Sequence, residues 1–268
     1  MRQQKKIPYA HVAIAAGGLG TRRSEWTRYL PKEYFPVGGK PGIALLLEEV
    51  AKLGRVRAVL VHHPYYADFI SSWARPVLEN SHHGHGQIFG IPLEASAWSG
   101  VELCFTPQRG PYGDVTSVLN ADDALGRPDE LYIAYADNLY PEDDPLLRLS
   151  SAGPGTSVLA RAYRREEASQ RGVLVTEGGF VSHLVEKPSN VTAQGLECRF
   201  GVQNLALLEG RACANRAFLD FLHGHTAPHH GAEPKLSLAL AAYARTNRVR
   251  VCLTHSSVTD LGAPLRNA

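Results

Sequence analysis

The sequence lacks any hydrophobic run long enough to cross a membrane. A bilayer span needs about 20 consecutive apolar residues, and no run in this 268-residue chain approaches that length. The amino terminus, MRQQKKIPYAHV, is basic, but it lacks the long apolar stretch and the small-residue cleavage site of a signal peptide. These absences predict a cytoplasmic protein without membrane contacts.

Cysteine and net charge are also scarce. The four cysteines, Cys104, Cys198, Cys213 and Cys252, lie far apart and form no CxxC pair. Each lies among apolar residues, so we expect buried thiols. The formal net charge of +2 predicts no general attraction to nucleic acid, although basic residues can still converge on a phosphate.

Strand-like and helix-like segments alternate through the first half of the chain. Hydrophobic residues make up 44% and charged residues 20%, which is the composition of an ordinary globular domain. The alternation predicts a parallel sheet with helices on both faces. We expect strands over Ala10–Ala16, Val56–His62, Val101–Thr106 and Leu131–Ala136. We expect helices over Gly42–Leu53, Tyr65–Leu78 and Asp114–Leu125. Asp114 is the predicted N-cap of the last helix.

The second half is richer in predicted strands. No internal repeat is present, and residues 81–100 form the longest stretch without periodicity, which indicates a lid or an insertion. We expect strands over Ser157–Tyr163, Gly172–Thr176, Phe180–Glu186, Phe200–Leu208 and Val249–Thr254, and helices over Ala214–Leu222 and Leu236–Ala244.

The segment AIAAGGLGTRRSEWTRYLPKEYFPV, residues 13–37, places a glycine-rich loop directly after the first predicted strand. It lacks the Gly-Lys-Ser/Thr of a Walker A loop and the third glycine of the dinucleotide-binding motif. Its position is nevertheless that of a phosphate loop, because ligands of α/β sheets bind at the carboxyl ends of the strands. The glycines allow close backbone approach, and Arg22 and Lys32 supply positive charge. A glycine turn with solvated basic residues is the alternative.

Residues 17–41, GGLGTRRSEWTRYLPKEYFPVGGKP, resemble the signature of the sugar-1-phosphate nucleotidyltransferases. That signature is G-x-G-T-R, a spacer, P-K-x-x-x-P-V and a Lys-Pro, and the gaps match those of bacterial glucose-1-phosphate uridylyl- and thymidylyltransferases. Four later segments resemble family landmarks in the expected order. They are the base-binding segment at 108–121 (QRGPYGDVTSVLNA), the metal-binding strand end at 136–138 (ADN), the sugar-phosphate segment at 183–188 (HLVEKP) and a second metal-binding segment at 258–264 (VTDLGAP).

The resemblance implies an α/β fold of Rossmann-like nucleotidyltransferase type, with a mixed, mostly parallel central sheet flanked by helices. It implies one domain over residues 1–268, with a nucleotide-binding half at about 1–140 and a sugar-phosphate-binding half at about 141–268. The residues that the resemblance assigns to nucleotide binding are Ala16, Gly17, Gly18, Gly20, Thr21, Gln108 and Gly113. Those that it assigns to acceptor binding are Asn138, Gly172, Glu186, Lys187 and Asn204. It implies that Asp137 and Asp260 bind Mg²⁺ and that Arg22, Lys32 and Lys187 are catalytic. A homo-oligomer is compatible with the sequence, although no residue predicts one.

These residue types suit nucleotidyl transfer, in which a phosphate monoester attacks the α-phosphorus of a nucleoside triphosphate and pyrophosphate leaves. The nucleophile is already an anion, so the difficulty is to bring several negative charges together. Arg22 and Lys32 suit the triphosphate, and Lys187 suits the attacking phosphate. Carboxylates are the ligands that Mg²⁺ prefers. In the family, a glutamine of the base-binding segment contacts a pyrimidine, and Gln108 stands at the matching position. We therefore expect dTTP or UTP as the nucleotide and a sugar 1-phosphate as the acceptor.

Three changes from the family pattern leave the acceptor open. Asp114 replaces a leucine, Gln203-Asn204 replace Thr/Ser-Gly, and Val258 replaces a tryptophan. The alternatives are a cytidylyltransferase acting on a phosphorylated alcohol, cyclitol or phosphonate, and a non-catalytic nucleotide-sensing homologue.

Two groups of histidines have spacings that can bind zinc. The first group is His82, His83 and His85, and the second is His223, His225, His229 and His230. No cysteine or carboxylate completes either set convincingly, so we expect both groups to lie in exposed loops.

Overall fold

The structure of the protein is a computed structural model that describes residues 8–20, 27–80, 87–88, 91–92, 95–225 and 233–263. Within these residues, nine strands form one mixed sheet: β1 (Ala10–Ala16), β4 (Val56–His62), β7 (Val101–Pro107), β8 (Glu130–Tyr135), β10 (Ser157–Ala162), β11 (Gly172–Glu177), β12 (Phe180–Glu186), β13 (Leu205–Asn215) and β14 (Arg250–Thr254). Their order across the sheet is β10-β14-β12-β11-β13-β8-β1-β4-β7. Three small two-stranded pairs lie outside this sheet: β2 (Pro36–Val37) with β3 (Lys40–Pro41), β5 (Gln87–Ile88) with β6 (Ile91–Pro92), and β9 (Asn138–Leu139) with β15 (Thr259–Asp260).

Helices cover both faces of the sheet. One buried cluster packs the first helix against one face through residues such as Leu46 and Leu60, and another packs Val118, Phe218 and Leu240 against the opposite face. None of the helices formed by the described residues is both long and apolar enough to span a membrane. The helices are α1 (Gly42–Ala51), α2 (Ala67–Phe69), α3 (Arg75–Asn80), α4 (Asp114–Ala124), α5 (Pro145–Ser150), α6 (Arg165–Ala168), α7 (Asn190–Phe200), α8 (Arg216–His225) and α9 (Leu236–Tyr243).

The first half of the sheet is parallel, as the alternation predicts. Strand β1 pairs in parallel with β4 and β8, and β4 pairs in parallel with β7. The carboxyl ends of these four strands therefore meet at one edge. The second half is mainly antiparallel, and it joins the first through the pairing of β13 with β8. The expected fold class, an α/β fold with a mixed central sheet, is confirmed.

The predicted Phe200–Leu208 strand is wrong at its start. Helix α7 ends at Phe200, Gly201 reverses the chain with a φ of +77°, and β13 begins only at Leu205. The helix was missed because Ala193 is its one buried residue, so its sequence carries no apolar stripe. Its start is nevertheless capped, since the Ser189 side chain accepts a hydrogen bond from Thr192 N.

Other expectations also need correction. The predicted Tyr65–Leu78 helix is interrupted by a π-helical segment, Ile70–Ala74. Residue Asp114 is the first residue of α4 rather than its cap, because its carboxylate is bound elsewhere. Cys213 is buried and Cys252 half-buried, but Cys104 on the edge strand β7 and Cys198 on α7 are exposed, contrary to the predicted burial.

Candidate active site

A cavity of about 340 Å³ opens where the carboxyl ends of the parallel strands meet the second half of the sheet. Residues predicted from distant parts of the sequence converge on it. The predicted residues that line the cavity are Gly17, Gly18, Lys32, Gln108, Gly113, Asp137, Asn138, Gly172, Glu186, Lys187 and Asp260. Thr21 and Arg22 lie outside the described residues, as do His82, His83, His85, His229 and His230.

The glycines of the loop after β1 are packed too closely for side chains. A Cβ on Gly17 would lie 2.6 Å from Gln108 Oε1, and one on Gly18 would lie 3.1 Å from Lys32 Nζ. Gly20 has a different role, since its φ of +60° turns the chain beside Thr27, away from the cavity lining. The predicted Ala16 is a buried strand residue that does not line the cavity.

The Gln108 side chain shapes the wall of the cavity. Its Nε2 donates hydrogen bonds to Pro111 O at 3.2 Å and Gly113 O at 3.1 Å, and its Oε1 accepts one from Ser117 Oγ at 3.3 Å. The carboxamide therefore fixes the loop that leads into α4. It also lies against Gly17, so it links the glycine loop to the predicted base-binding segment.

Lys32 and Asp137 form an ion pair inside the cavity. Burial alone would lower the pKa of Lys32, but the carboxylates of Asp137, Glu33 and Asp260 outweigh it and raise the pKa. Burial alone would raise the pKa of Asp137, but Lys32 and a hydrogen bond from Asn138 Nδ2 at 2.7 Å hold it below its usual value. Both groups are therefore charged at neutral pH.

Asp137 and Asp260 are brought together by backbone pairing. Strand β15 pairs with β9 so that Asp260 lies opposite Asn138, and Leu261 N donates to Asp137 O at 2.8 Å. Two carboxylates in the lining of the same cavity suit a hard divalent cation such as Mg²⁺. The donor set therefore fits the metal that the motifs imply.

Arg211, which no motif indicated, holds the backbone around Asp137. It is 1% exposed and makes a bidentate pair with Glu49, with Nε–Oε1 at 2.9 Å and Nη2–Oε2 at 2.7 Å. Its remaining N–H groups donate to Tyr135 O, Asn138 O and Gly210 O at 2.8–2.9 Å. Two of these carbonyls flank Asp137, so the guanidinium fixes the turn that presents the carboxylate.

Glu33 is another buried charge that the sequence did not single out. It is 1% exposed, it lines the cavity beside Lys32, and its Oε2 has no hydrogen-bond partner among the described residues. Burial raises its pKa to about 8, even though the Lys32 ammonium opposes the shift. The side chain is therefore largely protonated at neutral pH.

The far end of the cavity carries Glu186 and Lys187. Glu186 ends β12 and lies 3.7 Å from Lys235 Nζ. Lys187 has a φ of +45°, which is rare for a residue with a side chain and is commonest at functional sites. This unusual backbone conformation comes directly after β12, at a residue that lines the cavity.

Asn204 does not belong to this lining. Its Nδ2 caps the end of α7 by donating to Phe200 O at 2.8 Å. Instead, β13 contributes Leu208, Glu209 and Gly210 to the cavity wall. The strand that the resemblance assigned to the acceptor was predicted to begin too early, because the boundary between α7 and β13 was missed.

Asp114 is also part of the cavity wall. It accepts hydrogen bonds from Tyr135 Oη at 2.7 Å and Leu236 N at 2.7 Å, and it thereby joins α4 to the start of α9. Burial raises its pKa to about 6, although these hydrogen bonds oppose the shift. Asp114 is therefore a structural link as well as a polar group in the cavity.

His223 is half-buried on α8 rather than in a loop. Its Nε2 lies 2.9 Å from Asp122 Oδ2, and Asp122, Asp123 and His223 each have a potential ligand atom within 4.8 Å of the others. The fully buried Asp122 carboxylate already binds Arg216 through both oxygens. This satisfied cluster is explained by the docking of α8 on α4.

Known proteins resemble this chain in sequence and fold. A putative UTP–glucose-1-phosphate uridylyltransferase of Bacillus subtilis is 42% identical over 62 residues, which is 22% of this chain and about a quarter (23%) of that protein's length. A UTP–glucose-1-phosphate uridylyltransferase of Streptococcus pyogenes is 27% identical over 259 residues, covering 88% of this chain and 79% of that protein.

A crystal structure of UDP-glucose pyrophosphorylase with UDP-glucose superposes with a TM-score of 0.72 at 20% identity, covering 96% of this chain and 94% of that one. At that identity the likeness shows the fold. The model of the family described as nucleotidyl transferase matches residues 12–264. This confirms the resemblance drawn from the motifs, and it shows that the chain is a member of the nucleotidyl transferase family.

Proposed function

We propose that this protein transfers a nucleotidyl group from a nucleoside triphosphate to a sugar 1-phosphate. The observation that carries the proposal is that the glycine loop, the Lys32–Asp137 pair, Glu186 and Lys187 all line one cavity. Such an arrangement suits two phosphorylated substrates that must be brought together against their mutual repulsion.

In the proposed reaction, an oxygen of the acceptor phosphate attacks the α-phosphorus and forms a new P–O bond. The bond from the α-phosphorus to the bridging oxygen breaks, and pyrophosphate leaves with that electron pair. Lys187 would hold the attacking phosphate, while Lys32 and Arg22 would stabilise the charge of the triphosphate. Asp137 and Asp260 would hold Mg²⁺, which when bound neutralises phosphate charge.

UTP or dTTP is the proposed nucleotide, and glucose 1-phosphate is the first acceptor to test. The names of the sequence relatives support UTP, and the position of Gln108 in the cavity wall supports a pyrimidine. The charged residues at the acceptor end favour testing a wider acceptor class, so a cytidylyltransferase acting on a phosphorylated alcohol is the second candidate.

Pyrophosphate release tests both candidates. UTP, dTTP and CTP are each supplied with Mg²⁺ and with glucose 1-phosphate, other sugar 1-phosphates or alcohol phosphates. We expect release with UTP or dTTP and a sugar 1-phosphate, and a loss of at least a hundredfold in Asp137→Asn. Release only with CTP and an alcohol phosphate would establish the second candidate. Nucleotide binding without release from any pair would contradict both and support a non-catalytic role.

A further inference from the structure

Arg171 is a cationic residue of the acceptor end that no motif assigns. It precedes Gly172 at the start of β11, it lines the cavity, and its side chain is 17% exposed. Its carbonyl oxygen accepts a hydrogen bond from Lys187 N at 3.1 Å. The two cationic residues are therefore linked through their backbones, and both line the same cavity.

Buried Glu209 holds the Arg171 side chain. The Glu209 carboxylate, on β13, accepts hydrogen bonds from Arg171 Nη1 at 3.2 Å, from Arg161 Nε at 2.5 Å and from Tyr140 Oη at 3.0 Å. Its side chain is fully buried, so these three donors are needed to offset its desolvation. Glu209 thus fixes one edge of the Arg171 guanidinium.

The rest of that guanidinium is available to a ligand. Within the described part of the chain, the Arg171 side chain donates only the one hydrogen bond to Glu209, and its Nε lies 3.7 Å from Glu167 Oε2, too far for a second. Glu167 is itself engaged by both terminal nitrogens of Arg161. A planar guanidinium with unused donors, half-buried in the wall of a cavity that Lys187 also lines, is suited to bidentate binding of an oxyanion.

We propose that Arg171, positioned by Glu209, binds an oxyanionic group of the acceptor together with Lys187. The inference rests on the proposed function, since it concerns the acceptor end of the same cavity. That oxyanion is either the phosphate of every acceptor or an additional carboxylate of a sugar acid. Arg161 provides a matched control, because it binds the same Glu209 carboxylate but does not line the cavity.

Calorimetric titration tests the inference without turnover. Glucose 1-phosphate and glucuronic acid 1-phosphate are titrated into the wild type, Arg171→Gln, Arg171→Lys and Arg161→Gln, with UTP as a reference ligand. The loss of charge-assisted hydrogen bonds predicts about ten- to a hundredfold weaker acceptor binding in Arg171→Gln, a smaller loss in Arg171→Lys, and unchanged UTP binding.

The pattern across ligands identifies the oxyanion. Weaker binding of both sugar phosphates indicates the phosphate, and weaker binding of the sugar acid alone indicates the carboxylate. The inference is overturned if Arg171→Gln binds both acceptors as the wild type does, if Arg161→Gln loses as much affinity, or if no acceptor binds the wild type. Pyrophosphate release by the wild type, measured separately, shows whether the proposed function itself stands.

Discussion

Replacing Arg211 by methionine should destabilise the fold and loosen the turn that carries Asp137. Methionine has a similar length and no charge, so the change removes all five N–H donors while it keeps most of the volume. The Glu49 carboxylate would then be buried without its partner, and the carbonyls of Tyr135, Asn138 and Gly210 would lose their donor.

The expected loss of unfolding free energy follows from these contacts. Breaking a buried ion pair from one side costs about 3–5 kcal/mol, because a buried charge is left uncompensated. Each buried carbonyl that water does not reach adds about 1–3 kcal/mol. We therefore expect Arg211→Met to lose at least about 4 kcal/mol, a large share of the roughly 5–15 kcal/mol that stabilises a typical domain.

A double-mutant cycle separates the charge from the carbonyl contacts. Glu49→Leu combined with Arg211→Met leaves no charge at this buried position, so the double variant should be about 2 kcal/mol more stable than Arg211→Met alone. Urea unfolding measures all four proteins. A double variant that is less stable than Arg211→Met would refute the reasoning, because the carboxylate would then not be the stranded charge.

The same double variant tests the positioning of Asp137. Its core contains no unpaired charge, yet the carbonyls on either side of Asp137 still lack the guanidinium that holds them. We expect it to need about tenfold more Mg²⁺ than the wild type for half-maximal pyrophosphate release, at a temperature where both are folded. An unchanged Mg²⁺ requirement would show that Arg211 serves stability alone.

Two further predictions concern Gly17 and Glu33. In Gly17→Ala the new Cβ would lie 2.6 Å from Gln108 Oε1, so Gln108 must shift, and UTP affinity measured by calorimetry should fall at least about tenfold. Gly195→Ala is its control, since nothing lies within 4 Å there, and wild-type affinity in Gly17→Ala would contradict the role of the close packing. Burial raises the pKa of Glu33 from 4.5 to about 8, so the folded state binds the proton more tightly and stability should fall as pH rises through this window. In Glu33→Gln this decline should be absent from urea-unfolding curves recorded between about pH 5 and 9, and equal slopes in both proteins would contradict the raised pKa.

The strand ends of the site were predictable because local sequence determines them. Hydrophobic runs fixed β1, β4 and β12 to within a residue, and polar or glycine residues follow each run directly. Parallel pairing then brings Gly17 and Asp137 to one edge without any further information. Where the apolar period is absent, as in α7, the prediction failed, and the error moved the start of β13 and misplaced Asn204.

The buried ion pair of Arg211 and Glu49 was not predictable in this way. Arg211 lies in a largely apolar strand, and its partner Glu49 is 162 residues earlier on a helix that shows only an ordinary amphipathic pattern. Long-range pairs of this kind leave no local signal, because each residue alone resembles a solvated surface charge.

The same limit separates the proposed nucleotide end of the cavity from its proposed acceptor end. At the proposed nucleotide end, glycines would be needed where the backbone approaches a phosphate, so the motif and the proposed chemistry coincide. At the proposed acceptor end, Arg171 is held by a hydrogen bond to Glu209, on a strand whose start the sequence misplaced. A family motif can therefore identify the reaction while the acceptor depends on charges that only the packed structure brings together. For that reason the binding of glucose 1-phosphate and of glucuronic acid 1-phosphate to Arg171→Gln, with Arg161→Gln as the control, is the measurement that discriminates among acceptors.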